Sequence, residues 1–248
     1  MKKIILFSIL IVLASACSKD WLETEPIGQK FESNFYETEE EIFAGLVSAY
    51  SILQPKYYAG WSSWYFLANF PSDDSHVVGG GPGDRPEYHE VAEFRTVSTN
   101  PAVLQIWRRN FYGINRTNVV LEYANPEASE KSREYVAEAR FLRAYYYFEL
   151  IKFFGDLPLI TGIVGSDDYN KPRDPAEETF AQIITDLENA IPDLATKSSL
   201  SGTELYRATK GAAQSLLGKV YLYMASPYYQ ETYDFDKSAS EYYSLAAA

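Results

Sequence analysis

Between residues 55 and 100 the sequence gathers its most chemically varied side chains: Trp61, Trp64, Tyr65 and Phe66, then Asp73-Asp74 and His76, then Gly79-Gly80-Gly81-Pro82-Gly83-Asp84. Aromatic rings beside carboxylates in an irregular stretch suit sugar rings or peptide side chains, which present apolar faces and polar edges. Trp61, Trp64, Tyr65, Asp73 and Asp74 are therefore the candidate ligand-binding residues. Packing of Trp61 and Trp64 against the preceding helix is the equally open alternative. Asp73, Asp74 and His76 lack the spacing of a calcium loop, so a solvated turn is the reading and no metal site is expected. The glycine run lacks both the Gly-Lys-Ser/Thr ending and the preceding strand of a phosphate loop, and reads as a flexible loop. Only two histidines are present, and no Gly-x-Ser-x-Gly elbow accompanies them. The chain is expected not to be an enzyme and to carry no cofactor.

A loop of that length needs a frame, and the rest of the chain supplies helices. Thr38 with Glu41 makes a capping box for a first helix that stops at Pro55. Asn100-Pro101 opens a second, which carries Trp107, Phe111, Ile114 and Leu121. The third runs from about Tyr135 to Gly155 and has two opposed apolar stripes at 3.6-residue spacing. Ala139, Leu142, Tyr146, Leu150 and Phe153 form one, and Ala137, Phe141, Ala144, Phe148 and Ile151 form the other. Two stripes imply neighbours on both sides. Arg140 and Arg143 lie in one seam between them and are expected to pair with acidic residues of adjacent helices. Gly155 and Pro158 end the helix. Asp174-Pro175 caps a fourth, with Phe180, Ile183 and Leu187 inward. A fifth begins near Thr209 and a sixth at Asp236. No long β alternation occurs. The fold class is all-α, with stacked antiparallel helix pairs and a long irregular loop. In the fifth helix Leu217-Gly218-x-x-Tyr221 has the spacing of a degenerate tetratricopeptide-like solenoid.

The sequence has a net charge of −12, which argues against a nucleic-acid partner, since phosphate binding needs a basic patch. Lys2-Lys3 followed by an apolar run from Ile4 to Leu13 reads as a signal peptide, too short for a stable transmembrane helix. Ala14-Ser15-Ala16-Cys17 resembles a lipobox, although Ala14 stands where Leu is usual. Cys17, the single cysteine, is thus the expected lipid attachment site. Residues 1–16 are the leader and 17–37 a polar tether. The helical domain is expected over 38–248.

Glu138-Ala-Arg-Phe-Leu-Arg-Ala-Tyr-Tyr-Tyr-Phe followed by Phe154-Gly-Asp-Leu-Pro-Leu resembles the signature of the SusD/RagB family of outer-membrane nutrient-binding lipoproteins. The segment Arg207–Tyr223 and the positions Trp107, Ile114-Asn115 and Leu121-Glu122 resemble the family's flanking helices. The resemblance implies an N-terminal SusD-like domain, incomplete at its C-terminus. It further implies a protein lipid-anchored to the outer membrane, facing the cell exterior, that captures oligosaccharide and passes it to a SusC-like TonB-dependent transporter. Two alternatives stand beside it: a helical scaffold that binds only the channel partner, and capture of peptide rather than glycan.

Overall fold

The computed structural model describes residues 35–54, 64–81, 83–165 and 169–248, and Phe35–Ala248 form one compact unit. Four of the helices start where a local side chain closes the free end. α1 (Glu39–Tyr50) carries the expected capping box: the Glu41 amide donates to Thr38 Oγ1 at 3.3 Å, and the Thr38 amide donates back to Glu41 Oε2 at 3.1 Å. Two short helices follow, α2 (Trp64–Asn69) and α3 (Pro86–Ala92). The stretch expected to be irregular is thus partly helical. Each helix is too short for periodicity to declare it, and tertiary burial of Leu67, Tyr88 and Val91 fixes them.

α4 (Pro101–Tyr123) begins at Asn100, whose side chain accepts from the Ala102 and Val103 amides. α5 (Glu130–Phe154) is the long central helix and ends at Gly155, which takes a φ of +61° that a side chain would disfavour. α6 (Ala176–Ala190), α7 (Lys210–Ala225), α8 (Pro227–Thr232) and α9 (Ala239–Ala247) complete the stack. Thr209 caps α7 as expected. The last helix opens at Ser238, slightly later than Asp236, because Ser238 and Glu241 form a second capping box. The described residues contain no strand, only an isolated bridge between Leu157 and Asp174.

α5 is packed by α4 and α6, is crossed by α1 and touches α7, while α7 carries α8 and α9. Both predicted stripes are covered. Leu142, Tyr146 and Leu150 on one side and Ala144, Phe148 and Ile151 on the other are all buried. In the seams Glu138, Arg143 and Glu149 are buried as well, and each has a charged partner. Arg143 forms a two-pronged pair with Asp186 of α6 at 2.7 and 2.8 Å, and also donates to Asn118 Oδ1 and the Thr161 carbonyl. Arg140 makes no ion pair among the described residues, against expectation; it is only partly buried, so water can solvate its charge. In the other seam Glu138 receives Arg207 from the segment before α7 and the Tyr50 hydroxyl from α1 at 2.6 Å. Burial pushes the Glu138 carboxyl up from its ordinary range, against the pull of Arg207 and Tyr50.

Candidate functional site

Two features meet at the C-terminal end of α5. The first is a satellite core in which Leu67 of α2 and Tyr88 and Val91 of α3 close on Ala102 and Ile106 of α4, with Phe66, Phe70, Phe153 and Phe154 packed around it. The Phe70 and Tyr88 rings meet edge to face at 5.3 Å, so these aromatics are committed to packing. The second is an open cleft of about 740 Å³ whose walls include Phe153, Phe154, Asp156, Arg173, Glu177, Tyr228 and Tyr233. Phe153 and Phe154 belong to both, so the segment carrying Trp64 and Tyr65 is anchored on one wall of the cleft.

Local chemistry holds the cleft open. Arg173 donates to the carbonyls of Phe154 and Asp156 at 2.9 and 2.8 Å, and its guanidinium lies over the Trp107 ring at 5.3 Å. Trp107 in turn meets Phe154 edge to face at 5.1 Å, as expected for a packing tryptophan. Asp156 accepts from the Ala176 amide at 3.0 Å and so caps α6. That role was expected of Asp174, which instead accepts from the Leu159 amide at 2.7 Å and folds the exit loop. Glu177 accepts from the Asp234 amide at 2.8 Å and ties α8 back to α6.

The charged groups therefore set the frame, and the phenols face the opening. Tyr228 is 66% exposed. Neither its hydroxyl nor that of Tyr233 is hydrogen-bonded to another described residue. Tyr229 is buried beneath them, edge to face with Phe180 at 5.6 Å. Burial raises the Tyr229 and Tyr233 phenols above their ordinary value, so both remain neutral donors at physiological pH. The exposed Tyr228 ring, its hydroxyl unpaired among the described residues, can stack on and hydrogen-bond a neutral polyol, with the partly buried Tyr233 beside it.

Of the residues singled out from sequence, Trp64 and Tyr65 open α2, with their side chains outside the described set. Asp73 and Asp74 are exposed in the turn that follows. Trp61 and Cys17 lie outside the described residues. The glycine run is closed on itself, as the Gly80 amide donates to Asp84 Oδ2 at 3.0 Å. The described residues hold no group of three or more His, Cys, Asp or Glu that could hold a metal ion. The sequence reading missed the tyrosine cleft. Its local signal is Pro227-Tyr-Tyr-Gln-Glu-Thr-Tyr233, a short helix with more phenols than one buried face accommodates.

A family model described as SusD-like, starch-binding and associating with the outer membrane, matches residues 84–222. The chain belongs to the SusD-like family. SusD-like protein P38 of Formosa agariphila is 30% identical over 199 residues, 79% of this chain and 38% of that protein. A SusD-like protein of Bacteroides ovatus is 25% identical over 234 residues, 89% of this chain and 39% of that one. Among solved structures, a laminarin-binding SusD-like protein superposes with a TM-score of 0.67 at 31% identity, covering 77% of this chain and 41% of its own. Surface glycan-binding protein A from Bacteroides fluxus superposes with a TM-score of 0.64 at 28% identity, over 75% and 40%. The SusD-like chain described here thus spans about two fifths of the length of these relatives. The two solved relatives are named for binding glycans, not for turning them over.

Proposed function

We propose that this SusD-like chain binds oligosaccharide at the outer membrane and passes it to a SusC-like TonB-dependent transporter. The observation that carries the reading is the tyrosine-walled cleft at the end of α5, in a chain whose family model is described as starch-binding. The cleft offers ring faces and neutral donors, which suit a polyol, and its two carboxylates, Asp156 and Glu177, are engaged by the Ala176 and Asp234 amides. Trp61, Trp64, Tyr65, Asp73 and Asp74 are proposed to add further contacts to the sugar chain. Cys17 is proposed to carry the lipid that anchors the protein, facing the cell exterior.

Calorimetric titration of the full chain with neutral glucan oligosaccharides tests the binding claim. A stacking aromatic at a hot spot contributes roughly 2 kcal/mol, about thirtyfold in affinity. The double variants Tyr228→Ala/Tyr233→Ala and Trp61→Ala/Trp64→Ala should each lose at least that much while circular dichroism stays unchanged. Unaltered affinity in both variants would place glycan binding elsewhere.

A further inference from the structure

A second groove, of about 490 Å³, lies along the outward face of α4 where the end of α1 meets it. Its lining repeats at helical spacing: Gln105, Arg108, Arg109, Tyr112 and Arg116, with Gln54 opposite. Arginines on a helix surface are ordinarily a solvated face, but two of these are fixed. Arg109 Nε donates to the Ile52 carbonyl at 2.5 Å, and one terminal nitrogen of Arg116 donates to the Ser48 carbonyl and Ser51 Oγ, each at 2.7 Å. These acceptors are neutral. No Asp or Glu lines the groove among the described residues, and none of the three guanidiniums has an ion-pair partner there. By contrast, Arg143 and Arg207, which pack inside the same chain, are both neutralised by carboxylates. A guanidinium has five donors, so among the described residues most of the donors on these arginines have no acceptor, and none of those on Arg108 has one.

Concentrated, partly immobilised positive charge in a chain of net charge −12 is a recognition element for an anion. The rest of the lining says which kind. Tyr112 is 62% exposed, one turn from both Arg108 and Arg116, and offers a ring face. Gln54 and Gln105 offer amides that both donate and accept, as sugar hydroxyls require. We propose that this groove binds an acidic sugar residue, a uronate or a sulfate ester carried on an oligosaccharide. The proposal rests on the glycan-binding reading above and adds a second subsite with its own specificity.

The full chain is to be titrated at low salt with oligogalacturonate and with a sulfated galactan oligosaccharide. A neutral glucan oligosaccharide and oligoglutamate serve as comparators. Arg108→Glu and Tyr112→Ala alter exposed side chains, so both should fold. Each should weaken the acidic saccharides by roughly tenfold or more and leave the neutral glucan unchanged, and added salt should weaken wild-type binding to the acidic saccharides alone. Acidic saccharides binding no better than the glucan, or binding Arg108→Glu as well as wild type, would overturn the proposal. Oligoglutamate binding as tightly, lost in Arg108→Glu but kept in Tyr112→Ala, would overturn it in favour of an acidic protein segment. If Tyr228→Ala/Tyr233→Ala abolishes glucan binding while Arg108→Glu changes nothing, the glycan reading survives and this one fails. If only the acidic saccharides bind, and Arg108→Glu abolishes that, this one stands and the cleft reading fails.

Discussion

The Asp174 carboxylate holds the loop that leaves α5, accepting from the Leu159 amide at 2.7 Å and pairing with Lys171 at 3.3 Å. The amide first, and Lys171 after it, draw the carboxyl below its ordinary range. A group whose folded pKa is depressed contributes stability above its unfolded pKa and loses it as pH falls through the folded one. Asp174→Asn keeps an acceptor but removes the charge, and should cost about 1 kcal/mol at neutral pH. The gap between variant and wild type in urea melts should close as pH drops below about 4; a constant gap would mean that the charge plays no part. Sequence spacing placed Asp174 at the start of α6. It could not show that Asp156, nearly a whole loop earlier, would return to cap that helix, because two acceptors competed for two amides and tertiary geometry decided between them. Arg143 was readable for a complementary reason. A cation in the seam of a helix covered on both sides must find a carboxylate, and α6 brought Asp186 to it.

Helix starts and stops were the most legible elements, since Thr38, Asn100, Gly155 and Thr209 each act on backbone groups within one turn. The double-striped character of α5 was legible because burial on two faces leaves a repeated pattern along a single helix. What that pattern cannot carry is how closely the neighbours approach. A Cβ on Gly113 of α4 would fall 2.5 Å from the Tyr146 ring, whose hydroxyl donates to the Ala49 carbonyl at 2.8 Å. One tyrosine thereby pins α1, α4 and α5 together, and the glycine makes room for it. Overpacking costs typically 1–3 kcal/mol, and alanine recovers about 1 kcal/mol in helix propensity. Gly113→Ala should therefore destabilise the fold by a net of up to about 2 kcal/mol and lower the denaturation midpoint. Gly211→Ala, where an added Cβ meets nothing within 4 Å, should leave the midpoint unchanged or raise it slightly. Equal behaviour of the two variants would contradict a packing role for Gly113.

Across the whole molecule, membrane attachment is proposed to depend on Cys17, and no described helix is long and apolar enough to cross a bilayer. Several acyl chains hold a protein to a membrane far more firmly than one, at roughly 0.8 kcal/mol per buried methylene. Cys17→Ser should therefore move the protein from the membrane to the soluble fraction or leave its leader uncleaved, and identical fractionation of wild type and variant would refute the anchor. The tyrosine cleft was beyond sequence reading because Phe154 from α5 and Tyr228 from α8 meet only after the helices stack, and periodicity says nothing of contacts between distant segments. The same distance governs the order in which the molecule can assemble. The Tyr50 hydroxyl accepts from the Ala208 amide at 2.8 Å, across 158 positions of sequence, while it donates to Glu138. Closing so large a loop is slow compared with zipping up neighbouring helices. The α4–α5–α6 layer can form as soon as its own residues emerge. α1 can dock and bond Glu138 early, but its bond to Ala208 must wait for the segment just before α7, so the first described helix is among the last to be fully secured. A chain interrupted before Arg207 would leave Glu138 buried without its cation.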